Sequence, residues 1–77
     1  MKIYVLTCVN HNADIEELFV FASFDDAKAR MEEDWAYECE EFKKCGAVDF
    51  FSSINMFRAQ CGAGNQVLNW RIHSREL

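Results

Sequence analysis

The sequence predicts an α+β domain in which four strands form an antiparallel sheet, in the order ββαββ, with one long amphipathic helix across one face. Three observations predict it. Two β-branched and aromatic segments open the chain, Lys2 to Val9 and Glu17 to Ala22; a stripe of helical period runs from Phe24 to Cys45; and the chain closes on a clean two-residue alternation from Val67 to Ser74.

In the opening segments, KIYVLTCV and ELFVFA, nearly every residue suits a pleated, half-buried surface. Between them Asn10, His11, Asn12, Ala13 and Asp14 are turn formers, so the two segments read as antiparallel strands joined by a short loop. The period changes at Ser23. Its hydroxyl, with Asp26 three residues on, makes a capping-box-like helix start. Phe24, Ala27, Met31, Trp35, Cys39, Phe42 and Cys45 then follow at spacings of 3, 4, 4, 4, 3 and 3. At about 100° per residue, all seven fall within an arc of about 120°, which places Trp35 at the centre of the core-facing stripe. Gly46 stands where helices stop, and Lys43 and Lys44 suit the negative end of the helix dipole.

The stretch from Ala47 to Cys61 is ambiguous. Phe50, Ile54, Phe57 and Cys61 fit a helical stripe with Asp49 as its cap, and they also fit a strand. A strand over Ser53 to Cys61 is preferred, because Gly62-Ala63-Gly64-Asn65 is a tight-turn composition leading into the last strand. In that strand Leu68, Trp70 and Ile72 point one way, while Asn69, Arg71 and His73 point the other.

Residues 1–77 read as a single domain, near the lower size at which a hydrophobic core alone offsets chain entropy. With 51% apolar residues and seven Phe, two Trp and two Tyr, the composition can fill such a core. No apolar run approaches the roughly 20 residues of a membrane-spanning helix, and the start lacks the pattern of a signal peptide. The expectation is a protein of the bacterial cytoplasm, with no membrane contact. Cys8, Cys39, Cys45 and Cys61 are then expected as free, buried thiols.

No pattern of catalytic, metal-ligating or cofactor-binding residues emerges. Four Cys and two His invite zinc, but no Cys-x-x-Cys or His-x-x-x-His occurs, and Cys39 and Cys45 stand about 120° apart around the helix. A Cys or Ser nucleophile would need an oriented His, whereas His11 falls in a turn and His73 on a strand's polar face. The Gly62–Gly64 turn does not lead from a strand into a helix, so it lacks the amide cluster of a phosphate loop. The reading is a protein that is not an enzyme and carries no cofactor.

Charge is sharply partitioned. Residues 14 to 41 hold eleven acids against Lys28 and Arg30, a net of −9, and the remainder holds six bases against Asp49 and Glu76, a net of +4. Asp26, Glu33 and Glu40 recur every seven residues opposite the Trp35 stripe, with Tyr37 and Glu41 beside them. These five are the candidate partner-binding residues, and the partner they suit is a basic protein. Direct nucleic-acid binding is disfavoured by the net charge of −5 and by bases that look scattered along the chain. The first two strands are apolar on both faces, so one helix cannot cover them. Tyr4, Leu6, Phe19 and Phe21 are the candidate self-association face of a homodimer, unless the loop from Val48 to Phe51 folds over it.

The opening Met-Lys-Ile-Tyr-Val-Leu-Thr, the Phe-Ala-Ser-Phe-Asp-Asp-Ala entry into an acidic helix and the closing Asn-Trp-Arg-Ile-His-Ser-Arg-Glu-Leu together resemble small uncharacterised proteins of bacterial and phage genomes. That group brings no catalytic residues. In size and acidity the chain is similar to phage anti-defence proteins such as anti-CRISPRs, several of which occupy nucleic-acid sites with acidic surfaces. The resemblance implies an inhibitor whose acidic helix fills the basic, nucleic-acid-binding groove of a host defence effector. Arg58, Arg71 and Arg75 depart from a uniformly acidic mimic. The alternatives are a structural or assembly module that homodimerises through an apolar sheet face, and a small-ligand binder or enzyme subunit in which Cys and His matter.

Overall fold

Strand-forming residues occupy both ends of the chain, and the fold lays those ends side by side. A computed structural model describes residues 1–10 and 15–77; His11 to Asp14, where the sequence predicts a turn, lie outside the described residues. The elements are β1 (Lys2–Asn10), β2 (Ile15–Phe21), α1 (Phe24–Lys44), β3 (Phe51–Ile54), β4 (Arg58–Ala63) and β5 (Gln66–Glu76). They build one antiparallel sheet of order β2-β1-β5-β4-β3. The two longest strands pair at its centre, from Lys2↔Glu76 to Asn10↔Leu68.

The sheet therefore has five strands where the sequence predicts four. The segment expected as a single strand from Ser53 to Cys61 reverses at Asn55. Its side-chain oxygen accepts from the backbone N–H groups of Phe57 and Arg58, both at 2.9 Å, and its own N–H donates to the Arg58 carbonyl at 2.8 Å. An Asn that ties its side chain to the backbone two and three residues on turns the chain without Gly or Pro. Asp49, a candidate helix cap in the other reading, instead sits in a left-handed conformation at φ 61 before β3. The next hairpin turns through Gly64 at φ 61, between the paired ends Ala63 and Gln66.

The helix follows the pattern of its sequence. Ser23 is extended at φ −130, ψ 148, and its Oγ accepts from the Asp26 N–H at 3.1 Å. At the other end Cys45 is the cap residue and Gly46 takes φ +67. Ala27, Met31 and Cys39 are buried from the helix side. Trp35 packs against this core while remaining half-buried, and its indole N–H donates to the Gln60 carbonyl at 3.1 Å, tying α1 to β4.

Register decides which sheet face the helix covers. Leu6 stands opposite both Phe19 and Ile72, and Trp70 opposite both Cys8 and Ala59. Leu6, Ala59, Cys61, Trp70 and Ile72 are all buried, so this is the covered face. The candidate self-association face is thereby corrected: Leu6 is fully buried, and Tyr4, Phe19 and Phe21 pack against the core. The open face carries Ile3, Val5 and Val9 of β1 and Leu18 and Val20 of β2. Val48 is 76% exposed, so the loop before β3 does not blanket it. The thiols need a correction too. All four are free, with Cys39 and Cys61 buried and Cys8 half-buried, but Cys45 is exposed because the helix ends there.

Candidate interaction surfaces

The outer side of α1 is the first candidate. Asp26, Glu33, Tyr37 and Glu40 are exposed along it, Tyr37 by 62%, and Glu41 lies half-exposed on its flank. The helix is also laced with short ion pairs: Lys28–Glu32 at 3.3 Å, Arg30–Asp34 at 3.2 Å, Lys43–Glu40 at 3.9 Å and Lys44–Glu41 at 3.8 Å. Every base of the helix is thus spent on an acid of the same helix. The pairs at Glu40 and Glu41 weaken the C-terminal end of the acidic row, whereas Asp25, Asp26 and Glu33 have no ion pair among the described residues. Exposed pairs of this kind add only about 0.3–0.5 kcal/mol each, so they shape the field more than the stability.

The acidic surface extends further than the helical period reveals. Between α1 and the ends of β1 and β2 lies a basin of about 380 Å³ lined by Cys8, Glu17, Arg30, Asp34, Tyr37 and Glu38, among others. Arg30 offers its Nε to both oxygens of Asp34 at 3.2 Å and lays its guanidinium 4.3 Å from the centre of the Phe19 ring. Glu38 has no such partner among the described residues. Burial, then the charges of Glu41, Asp34 and Glu17, push its carboxyl above the ordinary value of 4.5. The signal in the sequence was Glu17, which shares the covered side of β2 with Phe19 and Phe21 and so faces the helix acids.

A raised carboxyl predicts a pH dependence of defined sign. The folded state holds the Glu38 proton more tightly than the unfolded state, so stability is full below pH 4.5 and is lost as pH rises through the folded value. Glu38→Gln should therefore melt at a higher temperature than the wild type at pH 7 and at the same temperature at pH 3. Thermal melts at the two pH values check it, and an equal gain at both would trace the effect to packing.

Cys8, Cys39 and Cys61 are not poised for nucleophilic chemistry. Burial, then Glu17, Asp34 and Glu38, push Cys8 up to about 11. Burial, then Cys39, push Cys61 up to about 12, and Cys39 itself is raised by burial. Near neutral pH these three are protonated, the opposite of an activated thiolate. Among the described residues no group of three or more His, Cys, Asp or Glu is placed to hold a metal ion. Nor is any helix long and apolar enough to cross a membrane.

The second candidate is the open sheet face, which divides in two. Its β1–β2 half is apolar, with Leu18 and Val20 exposed by 59% and 57%. Its β4–β5 half is basic. Arg71, His73 and Arg75 alternate along β5, and Arg58 of β4 stands directly opposite Arg71. The bases that look scattered in the sequence are thus gathered on one surface. Partial burial, then Arg71, Arg75 and Arg58, hold His73 below its ordinary value of 6.5, so it adds little charge at neutral pH. The covered side and the open side differ in kind: carboxylates outside the helix, guanidiniums and aliphatics outside the sheet.

No protein-family model, curated protein or solved structure matches the chain.

Proposed function

We propose that the chain is a non-enzymatic binding module whose acidic helix docks on a basic surface of another protein, of the kind that otherwise holds nucleic acid. The carrying observation is the exposed row Asp26, Glu33, Tyr37 and Glu40 on a helix whose every base is already paired with an acid of its own. Carboxylates so placed can stand in for phosphates, and their field speeds encounter with a basic groove. Tyr37, exposed among them, supplies the aromatic anchor such interfaces favour. An inhibitor of a host defence effector, the anti-CRISPR form of this activity, is the version the sequence resemblance supports.

The test replaces Asp26, Glu33, Glu40 and Glu41 together by Gln. Folding should persist, since exposed helical carboxylates contribute little and Gln retains helix propensity. Affinity for the basic partner recovered by affinity purification from host lysate should fall at least tenfold, and the wild-type affinity should itself fall as salt rises. Equal affinity and equal salt dependence in the variant would falsify the acidic-helix reading. A second reading, an assembly module that homodimerises through the sheet, now rests on the exposed Leu18 and Val20. Sedimentation equilibrium of the purified chain separates the two, because only the second gives a concentration-dependent dimer without a partner.

A further inference from the structure

We infer that the basic half of the open sheet face is a binding site for a phosphate-bearing ligand of nucleotide size, centred on Arg58 and Arg71. The inference is independent of the acidic helix. Arg58 and Arg71 are register partners on adjacent antiparallel strands and leave the sheet on the same side. Their Cβ atoms are therefore held about 5 Å apart, a placement in which like charges destabilise the sheet. The chain has thirteen acids and pairs every helix base with one of them. Yet neither of these two guanidiniums meets a carboxylate among the described residues. Two forks left unneutralised side by side match what a phosphate group needs, because each can donate two parallel hydrogen bonds to its oxygens.

The surroundings supply the rest of a site. Arg58, Arg71, Ser53, Gln60 and Asn69 line a concave basin of about 470 Å³, within the range of small-molecule sites. Ser53, Gln60 and Asn69 form a row across β3, β4 and β5, one strand repeat from the arginine row, or about 7 Å. A hydroxyl and two amides at that distance can read the polar groups of a sugar or base while the arginines hold the phosphate. On the other flank of Arg71 stands His73, and Arg75 lies beyond it. The basin rests on a rigid floor, since Ala59 and Trp70 are buried directly behind it.

The ligand chemistry has two natural sources, a free nucleotide and the phosphorylated end of a nucleic acid strand. Heteronuclear NMR titration of the full chain distinguishes them with four probes: AMP, adenosine, and a single-stranded oligonucleotide with and without a 5′-phosphate. AMP should bind with shifts confined to residues 53–60 and 69–73, adenosine should bind at least tenfold more weakly, and Arg58→Gln/Arg71→Gln should lose at least tenfold in AMP affinity. An oligonucleotide that outcompetes AMP only when 5′-phosphorylated assigns the source to a strand end; AMP at least as tight assigns it to a free nucleotide. The double variant should fold, and it should melt no lower than the wild type, because the substitution removes a repulsion. Equal binding of AMP and adenosine, or of AMP to wild type and variant, overturns the proposal. So does a wild type that ignores every phosphate probe while self-associating through Arg58 and Arg71, which would make the acidic helix of a second copy the occupant.

Discussion

Replacing Trp70 by Ala should cost about 3–5 kcal/mol, the largest loss expected of any single side chain here. Trp70 is 2% exposed on the central strand β5, between its register partners Cys8 and Ala59 and beneath the helix. A chain of 77 residues has a total stability of only about 4–12 kcal/mol, so the substitution removes a large share of that margin. Circular dichroism through a urea titration measures it. Trp70 has one weakness. Its buried indole N–H has no hydrogen-bond partner among the described residues, a deficit of about 1–3 kcal/mol. Trp70→Phe removes that group with part of the ring, so it should lose distinctly less than Trp70→Ala. Trp35→Ala should also lose less than Trp70→Ala, because Trp35 is only half-buried. Wild-type urea midpoints for Trp70→Ala would remove this residue from the core.

That ranking of the two tryptophans marks the limit of what periodicity reveals. The helix was legible throughout, because its apolar arc, its Ser23 cap and its Gly46 stop agree with one another. The last strand was legible for the same reason: its two faces differ, with Trp70 and Ile72 on one side and Arg71 and His73 on the other. The first two strands were not. Apolar on both faces, they carry no sign of which side is covered until Leu6 is paired with Ile72. The extra strand was missed because the reversal at Asn55 uses Asn-Met-Phe, with neither Gly nor Pro to announce it. Arg58 and Arg71 lie far apart in sequence and meet only through the register of the β4–β5 hairpin, so their pairing could not be read from either segment alone.

Register also explains how one small chain keeps two oppositely charged surfaces. The exposed row Asp26, Glu33 and Glu40 leaves α1 away from the sheet, and the arginines leave β4 and β5 away from the helix, so the full thickness of the domain separates them. The shortest extent of the molecule is 15 Å. At about 0.1 M salt, fields between exposed charges fade over about 10 Å, so the two surfaces act on their surroundings nearly independently. A basic partner at the helix and an anion at the sheet are therefore compatible, and charge removal on one side should leave binding on the other unchanged.

The second large effect is expected at Gly62, where the sheet has no room for a single methyl group. Its backbone is not left-handed, so the constraint is spatial: an added Cβ would meet the backbone carbonyl oxygen of Gln66 and the Phe51 ring, whose Cζ would lie 2.9 Å away. The ring belongs to a side chain on the edge strand β3 and can turn aside. The carbonyl is fixed by the β4–β5 hairpin and cannot. Gly62→Ala should therefore lose about 1–3 kcal/mol, the usual cost of overpacking, with part of it assigned to each neighbour. A double-mutant cycle with Phe51→Ala separates the two shares. The double variant should be more stable than the sum of the single losses predicts, because the ring clash is gone, yet still less stable than Phe51→Ala alone, because the carbonyl remains. Strict additivity in the urea midpoints would mean that the Phe51 ring does not lie over Gly62. The β3 edge of the open face would then be uncovered in solution, and the ring would be free to stack on whatever occupies the arginine basin beside it.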